Sequence, residues 1–446
     1  MIEVKTVDYE KWFEMEEKYS LFDIKTEEGI YIWDIMRWYV NRYIYIKYTR
    51  ETVSTESAKS FRFYYKGMLI IIGSFFSWIT KKRNNIIFSI SRNLDRENML
   101  YDIICDDIIN LLQDDIIIID RRKALPEYRY TIEYNLVNLI KRIFISKKLS
   151  IDIFNTISHA MQSSFGEMQI TYNELNKFYE DYQKEYKYYR FYFKWKKPKR
   201  IFICYDEKSV IAAAHSLKIP VLELQHSYIG RYFIGFSYPN IITKHDKRTI
   251  YPDYMLTFSD YWGKEVNTPF YTYSIGNTYF STETDKLPAN NGSILVISNM
   301  IHGEILSQII LQYMQKFPDV HINFKLHPHE FKITTKYKEF FQNQKNITVL
   351  KNEIAMNVLI AQSNIVVLID SSTFYEVLNI GAKAAVYKVM SYKNLSNCFS
   401  HPNVYLFDTI DELHNAYIAE KKENNITFFD KFNAEKLTSL LNEIKS

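Results

Sequence analysis

A recurrent rhythm of short apolar runs between residues 84 and 390, with helix-like sequence between most of them, constrains this chain more than any other feature. The runs are Ile86–Ser91, Ile116–Ile119, Arg200–Tyr205, Val221–Leu224 and Tyr254–Phe258, then Ser293–Ser298, Val320–Leu326, Ile347–Leu350, Ile365–Ile369 and Ala384–Tyr387. Strands buried on both faces read as continuous apolar runs, and joining them through helices makes the sheet parallel. The two sets are separated by Asp285–Gly292, where Pro288, Asn290, Asn291 and Gly292 cluster as a linker. The predicted fold is therefore α/β, with two Rossmann-like domains facing each other across a cleft in the GT-B arrangement. Its expected parts are a helical N-terminal extension over 1–83, an acceptor-side domain over 84–285 and a nucleotide-donor domain over 286–446. The last helices are expected to fold back across the linker.

Length agrees with this division, because 446 residues exceed what one ordinary core accommodates. A formal net charge of only +4, from 56 basic and 52 acidic residues, excludes a surface devoted to nucleic acid. Cys105, Cys204 and Cys398 are odd in number and form no CxxC pair, so neither a disulfide framework nor a zinc site is expected. Residues Met1–Asp8 carry acids and lack the basic start of a secretory leader, which predicts a cytoplasmic protein. The low count of 11 glycines weakens any reading that needs a Gly-rich phosphate loop.

Two segments suggest contact with a surface. The uncharged stretch Gly67–Thr80, flanked by Lys66 and Lys81–Arg83, is too short to span a bilayer and reads either as a buried helix or as an in-plane membrane helix. The segment Lys177–Arg200 interleaves tyrosines with lysines and ends in Lys194, Lys196, Lys197, Lys199 and Arg200. It reads as a packed helix, a membrane-surface element or, least favoured, a single-strand binding face.

Chemistry concentrates in the second domain. Lys325-Leu326-His327-Pro328 closes one strand, and Asp370-Ser371-Ser372-Thr373, with Glu376 behind it, closes another. Open α/β sheets bind nucleotides at that edge, where imidazole, hydroxyls and backbone N–H groups reach phosphate. Glu376 is placed to accept from ribose hydroxyls, although Thr373 and Glu376 also have capping-box spacing. His302 and Gly303, after the first strand of this domain, are expected beside the nucleotide. No acidic pair reads as a metal motif: Asp106-Asp107 and Asp114-Asp115 look like solvated faces, so neither a metal nor any other cofactor is expected.

The order Leu224-Gln225-His226, then Lys325-Leu326-His327-Pro328, then Asp370-Ser371-Ser372 with Glu376 and a helix ending at Gly381, resembles the GT-B transferases of bacterial surface-polymer assembly. That group includes capsule synthesis proteins, polysialyltransferases, Kdo transferases and CDP-glycerol glycerophosphotransferases. The resemblance covers about residues 200 to 390 and implies that His327, Ser371 and Ser372 hold donor phosphates and Glu376 the nucleotide side. After His226 this chain has Ser227-Tyr228-Ile229-Gly230 where the group commonly continues directly with Gly.

Transfer to an acceptor hydroxyl needs a base, for which Asp95, Glu97, Asp206, Glu207 and His226 are the candidates. The donor grip is assigned to Lys325, His327, Pro328, Ser371, Ser372, Thr373, Glu376, His302 and Gly303. The expected function is transfer of a sugar from a CMP-, CDP- or UDP-linked donor to a glycan or lipid-linked acceptor in capsule or O-antigen synthesis. Such a protein would work in the cytoplasm, with peripheral contact to the inner membrane face. A CDP-polyol phosphotransferase and a non-catalytic scaffold of a polysaccharide-assembly complex are the alternatives.

Overall fold

The computed structural model describes residues 8–49, 75, 78–79, 82–89, 93–96, 99–120, 131–166, 170–205, 207–239, 242, 250–264, 266–281, 287–299, 302–423 and 425–444. Most of the stretch Gly67–Thr80 lies outside them, as do Glu97 and Asp206.

Among the described residues, nine strands precede the linker: β1 (Asn85–Ser89), β2 (Asn93–Arg96), β3 (Met99–Asp102), β4 (Ile116–Asp120), β5 (Thr131–Glu133), β6 (Arg200–Ile203), β7 (Val221–Leu224), β8 (Tyr254–Thr257) and β9 (Tyr271–Ser274). Six follow it: β10 (Ser293–Ile297), β11 (Ile322–Lys325), β12 (Ile347–Leu350), β13 (Ser363–Leu368), β14 (Lys383–Tyr387) and β15 (Val404–Phe407). The first sheet has the order β5-β4-β1-β6-β7-β8-β9 and the second β12-β11-β10-β13-β14-β15. Every pair within either sheet is parallel. Counted within each sheet, with the β2–β3 hairpin set aside, both follow the doubly wound order 3-2-1-4-5-6, and the first adds one more strand. The predicted pair of Rossmann-like domains is present.

Central strands are buried on both faces, as in β1, β4 and β10, which explains their unbroken apolar runs. The residues after β1 depart from the strand-to-helix rhythm. They instead form the antiparallel β2–β3 hairpin, and the helix Asp106–Leu112 begins only after it. Asp106, read as part of a solvated face, is buried and accepts the Asp102 backbone N–H at 3.1 Å.

The N-terminal helices Tyr9–Lys18 and Ile32–Thr49 are built into the first domain through a buried charge cluster. Glu16 accepts from the indole N–H groups of Trp12 and Trp33, each at 2.8 Å, and from Arg37 Nε at 2.5 Å. Arg37 Nη1 reaches on to the carbonyls of Ile234 and Ser237 at 2.6 and 2.8 Å. Such a pair is costly to bury, and it fixes geometry because every nitrogen of the guanidinium has an acceptor. Its effect is to pin the loop after β7, part of which enters the cleft.

The chain ends on the first domain, as expected of its last helices. Trp262 Nε1 donates to the Phe428 carbonyl at 2.7 Å, and the Asn433 N–H donates to Ile275 O at 2.7 Å just before helix Ala434–Glu443. Gly276, at φ +74°, lets this return strand pass, since a Cβ there would overlap the Lys431 carbonyl.

Helix Tyr172–Lys196 resolves one reading of the basic aromatic segment. Tyr179, Tyr182, Tyr188, Tyr189, Tyr192 and Phe193 are buried, so its aromatic face packs on its own domain. Trp78, from the end of the uncharged stretch, donates to Tyr188 Oη at 3.0 Å.

Candidate functional site

In the second sheet the winding reverses between β10 and β13, so the loops leaving their carboxyl ends diverge and open a crevice. A cleft of about 960 Å³ lies there. Its lining includes Lys325, His327, Pro328, Ser371, Ser372, Thr373 and Glu376, so seven residues assigned from sequence to the donor grip converge on one cavity. Ser227, Tyr228, Tyr279 and Phe280 enter it from the first domain, and Ile354 and Met356 add apolar surface from the second.

His327 is held in one orientation. Its Nδ1 accepts the His329 backbone N–H at 3.2 Å, which leaves the ring proton on Nε2. Burial pushes its pKa below the ordinary histidine value, with His329 and Lys325 adding to the drop and Glu330 opposing it. At neutral pH the ring is a neutral N–H donor.

Glu330, which sequence reasoning did not single out, organises this corner. It is buried, accepts from Ser298 Oγ at 3.0 Å and Tyr337 Oη at 2.6 Å, and accepts the His327 backbone N–H at 2.9 Å. The spacing of His327 and Glu330 is a capping box around Pro328 and was visible in the sequence. Lys325, at the end of β11, donates to Asn352 Oδ1 at 3.2 Å, and burial lowers its pKa against the pull of Glu353.

At the β13 edge the helix Thr373–Asn379 has only seven residues, so little of a macrodipole can develop. Its first N–H donates to Ser371 Oγ at 3.3 Å, and Ser372 makes no side-chain capping bond. The alternative, a capping box between Thr373 and Glu376, is not formed. Glu376 is half-buried, and desolvation pushes its carboxyl up to about 7. Across the switch point Asn299 Nδ2 donates to Asp370 Oδ1 at 2.7 Å, and Asn299 Oδ1 accepts the His302 backbone N–H at 2.7 Å.

His302 and Gly303 do not line the cleft. His302 is buried beside Ser391, its Nε2 3.1 Å from Ser391 Oγ, and burial lowers its pKa against Asp370. Gly303 is required for packing, since a Cβ there would overlap Tyr337 Oη and Glu330 Oε1.

The proposed bases are dispersed. Asp95 lies on β2, and Glu207 is buried at the start of helix Lys208–His215. His226 is buried against Tyr205 and Phe236, with ring centroids at 4.4 and 5.6 Å, while the next residues, Ser227 and Tyr228, reach the cleft. Gln225 shapes that loop by accepting the Phe258 N–H and donating to Ser227 O, both at 2.9 Å. Among the described residues, no cluster of His, Cys, Asp or Glu could hold a metal ion.

No protein-family model matches this chain, and no curated protein matches it. Solved structures do. The UDP-GlcNAc 2-epimerase of Methanocaldococcus jannaschii, in complex with UDP-GlcNAc and UDP, is 13% identical with a TM-score of 0.48, over 80% of this chain and 99% of that one. The S. aureus MnaA-UDP co-structure is 12% identical with a TM-score of 0.44, over 82% and 98%. A kitacinnamycin glycotransferase is 12% identical with a TM-score of 0.46, over 81% and 95%. At these identities neither ligand nor reaction passes from them to this chain.

Proposed function

We propose that the protein is a metal-independent GT-B glycosyltransferase, moving a sugar from a nucleotide-activated donor to a glycan or lipid-linked acceptor in bacterial capsule or O-antigen synthesis. The observation that carries this reading is the convergence of His327 Nε2–H, Lys325 and the Ser371 and Ser372 hydroxyls on one cleft at the switch point of the second sheet. In this account the acceptor oxygen attacks the anomeric carbon, and the bond from that carbon to the donor's phosphate oxygen breaks. The departing nucleotide gains negative charge on that oxygen. Preoriented donors facing a developing charge lower the barrier without reorganising.

The remaining roles follow from what lines the cleft. Glu376, when ionised, accepts from ribose hydroxyls, and Ile354, Met356, Tyr228 and Phe280 offer apolar surface for a base or sugar ring. Because Asp370 and Glu376 place two carboxylates in the lining against Lys325, phosphate charge rests largely on neutral donors. Abstraction of the acceptor proton is assigned to His226, which adjoins cleft-lining Ser227; Asp95, Asp206 and Glu207 are the carboxylate alternatives.

Incubation with CMP-, CDP-, UDP- and GDP-activated sugars, with and without a glycan acceptor, tests the reading. Release of free nucleotide that depends on acceptor is the expected result. Isomerisation of a donor sugar without acceptor would make the protein an epimerase, and consumption of CDP-glycerol alone a polyol phosphotransferase. Binding of no nucleotide would leave a scaffold.

A further inference from the structure

Residues 134–151 and 186–205 contain no Asp or Glu, yet together they hold a dense set of Lys and Arg. The fold lays the two segments side by side. Lys187 Nζ donates to Ile145 O at 2.7 Å, Gln183 exchanges hydrogen bonds with the Lys147 backbone at 2.8 and 3.0 Å, and Phe144 packs edge-on to Tyr188.

Apolar side chains stand out from this basic surface. Among the described residues, six large apolar side chains are more than half exposed, and five of them, Leu139, Ile143, Ile145, Ile151 and Phe191, belong to these two segments. Ile143 and Ile145 are 76% and 82% exposed, an arrangement that water disfavours. On helix Tyr172–Lys196 the exposed residues Lys187, Arg190, Phe191 and Lys194 recur at the spacing of one helical face, opposite the buried tyrosines. Beyond the end of that helix, Lys194, Lys197, Lys199 and Lys218 surround a cavity of about 370 Å³ floored by Phe193 and Pro198, large enough for a phosphate head group.

We propose that this face, built from residues 139–151 and the outer side of helix Tyr172–Lys196, docks the protein on an anionic phospholipid bilayer. Protruding isoleucines between lysines suit the boundary between head groups and acyl chains, where aliphatic groups enter and ammonium groups meet phosphate. A nucleic acid would call for a row of outward aromatic rings; here the tyrosines point inward, and Phe191 stands out beside four exposed aliphatic side chains. The exposed aliphatic groups among the lysines therefore select the lipid surface. Docking stands apart from the nucleotide reading, because no residue of this face lines the cleft.

Co-sedimentation of the full chain with phosphatidylcholine vesicles containing about one-third phosphatidylglycerol tests it, since each basic residue near such a surface contributes roughly a fivefold factor. Wild type is expected to partition onto these vesicles, to leave pure phosphatidylcholine vesicles unbound, and to dissociate as salt rises. Triple reversal, Lys187→Glu with Arg190→Glu and Lys194→Glu, is expected to weaken partition by about 100-fold or more. Ile143→Glu with Ile145→Glu is expected to abolish it. If a reversal lowers the unfolding temperature, the corresponding Gln variants replace it and are expected to retain the wild-type Tm while losing most of the binding. The proposal is overturned if wild type ignores the anionic vesicles, binds both vesicle types equally, prefers a single-stranded oligonucleotide, or if the folded variants partition like wild type.

Discussion

The two sheets share a strand order but differ at the crevice where that order reverses. In the second sheet the crevice between β10 and β13 is open and lined by Asn299, Asp370, Ser371 and Ser372. In the first, among the described residues, buried contacts occupy the corresponding edge beside β1 and β6. Ser89 donates to Asp102, Asp102 also accepts the Ile104 and Cys105 N–H groups, and Cys105 Sγ lies 3.0 Å from Cys204 Sγ, all of them buried. The β2–β3 hairpin and the helix after it deliver these plugs. Strand order creates a crevice, and the loops decide whether a ligand can enter it.

Substitutions on the two sides of the cleft should separate accordingly. The largest effect is expected from His327→Ala, which removes a donor aimed at the leaving group: kcat should fall by about 100- to 1000-fold, with a smaller change in nucleotide Kd. Equal kcat in the variant would end the assignment. Next, Glu330→Ala strands the Ser298 and Tyr337 hydroxyls and the His327 N–H in the interior. Denaturant unfolding should show a loss of about 3 kcal/mol, and an unchanged midpoint would mean Glu330 does not organise the corner.

Ser372→Ala should weaken nucleotide diphosphate binding by about 20-fold in calorimetry, the scale of one hydrogen bond to a charged group. For Glu376 the sign follows from its raised pKa. Ribose hydroxyls donate to the ionised form, so affinity should rise as pH climbs through about 7 and level off above it. Between pH 6 and 8 the gain should be about tenfold, and Glu376→Gln should flatten the profile. The smallest effect on nucleotide affinity is expected on the first-domain side: His226→Ala should leave nucleotide Kd within about twofold, while kcat falls by about 100-fold or more through loss of the base.

Legibility followed burial. Central strands such as β4, β10 and β13 are all-apolar because both faces are covered, so the sequence exposes them directly. Of the four edge strands, β12 was legible as an apolar run while β5, β9 and β15 were not distinguished, since an edge needs less apolar surface; β9, Tyr-Thr-Tyr-Ser, is exposed at its first residue. Donor-side residues lie within a few positions of strand ends, which makes them visible as short strings. Asn299, Glu330 and the Cys105–Cys204 contact depend on elements meeting from far along the chain, and only Glu330 left a local trace, in its spacing from His327. His302 and Gly303 followed a strand in the right domain but turned inward, because Gly303 is pressed against Tyr337 and Glu330.

The central claim is that the open edge of the second sheet holds a nucleotide-linked donor. Calorimetric titration of CDP, UDP, GDP and CMP into wild type and into the His327→Ala/Ser372→Ala double variant tests this most directly. Saturable binding of at least one nucleotide by wild type, weakened by about 100-fold or more in a folded double variant, is the predicted result. Binding that the double variant retains in full, or no binding of any of the four by wild type, would contradict it.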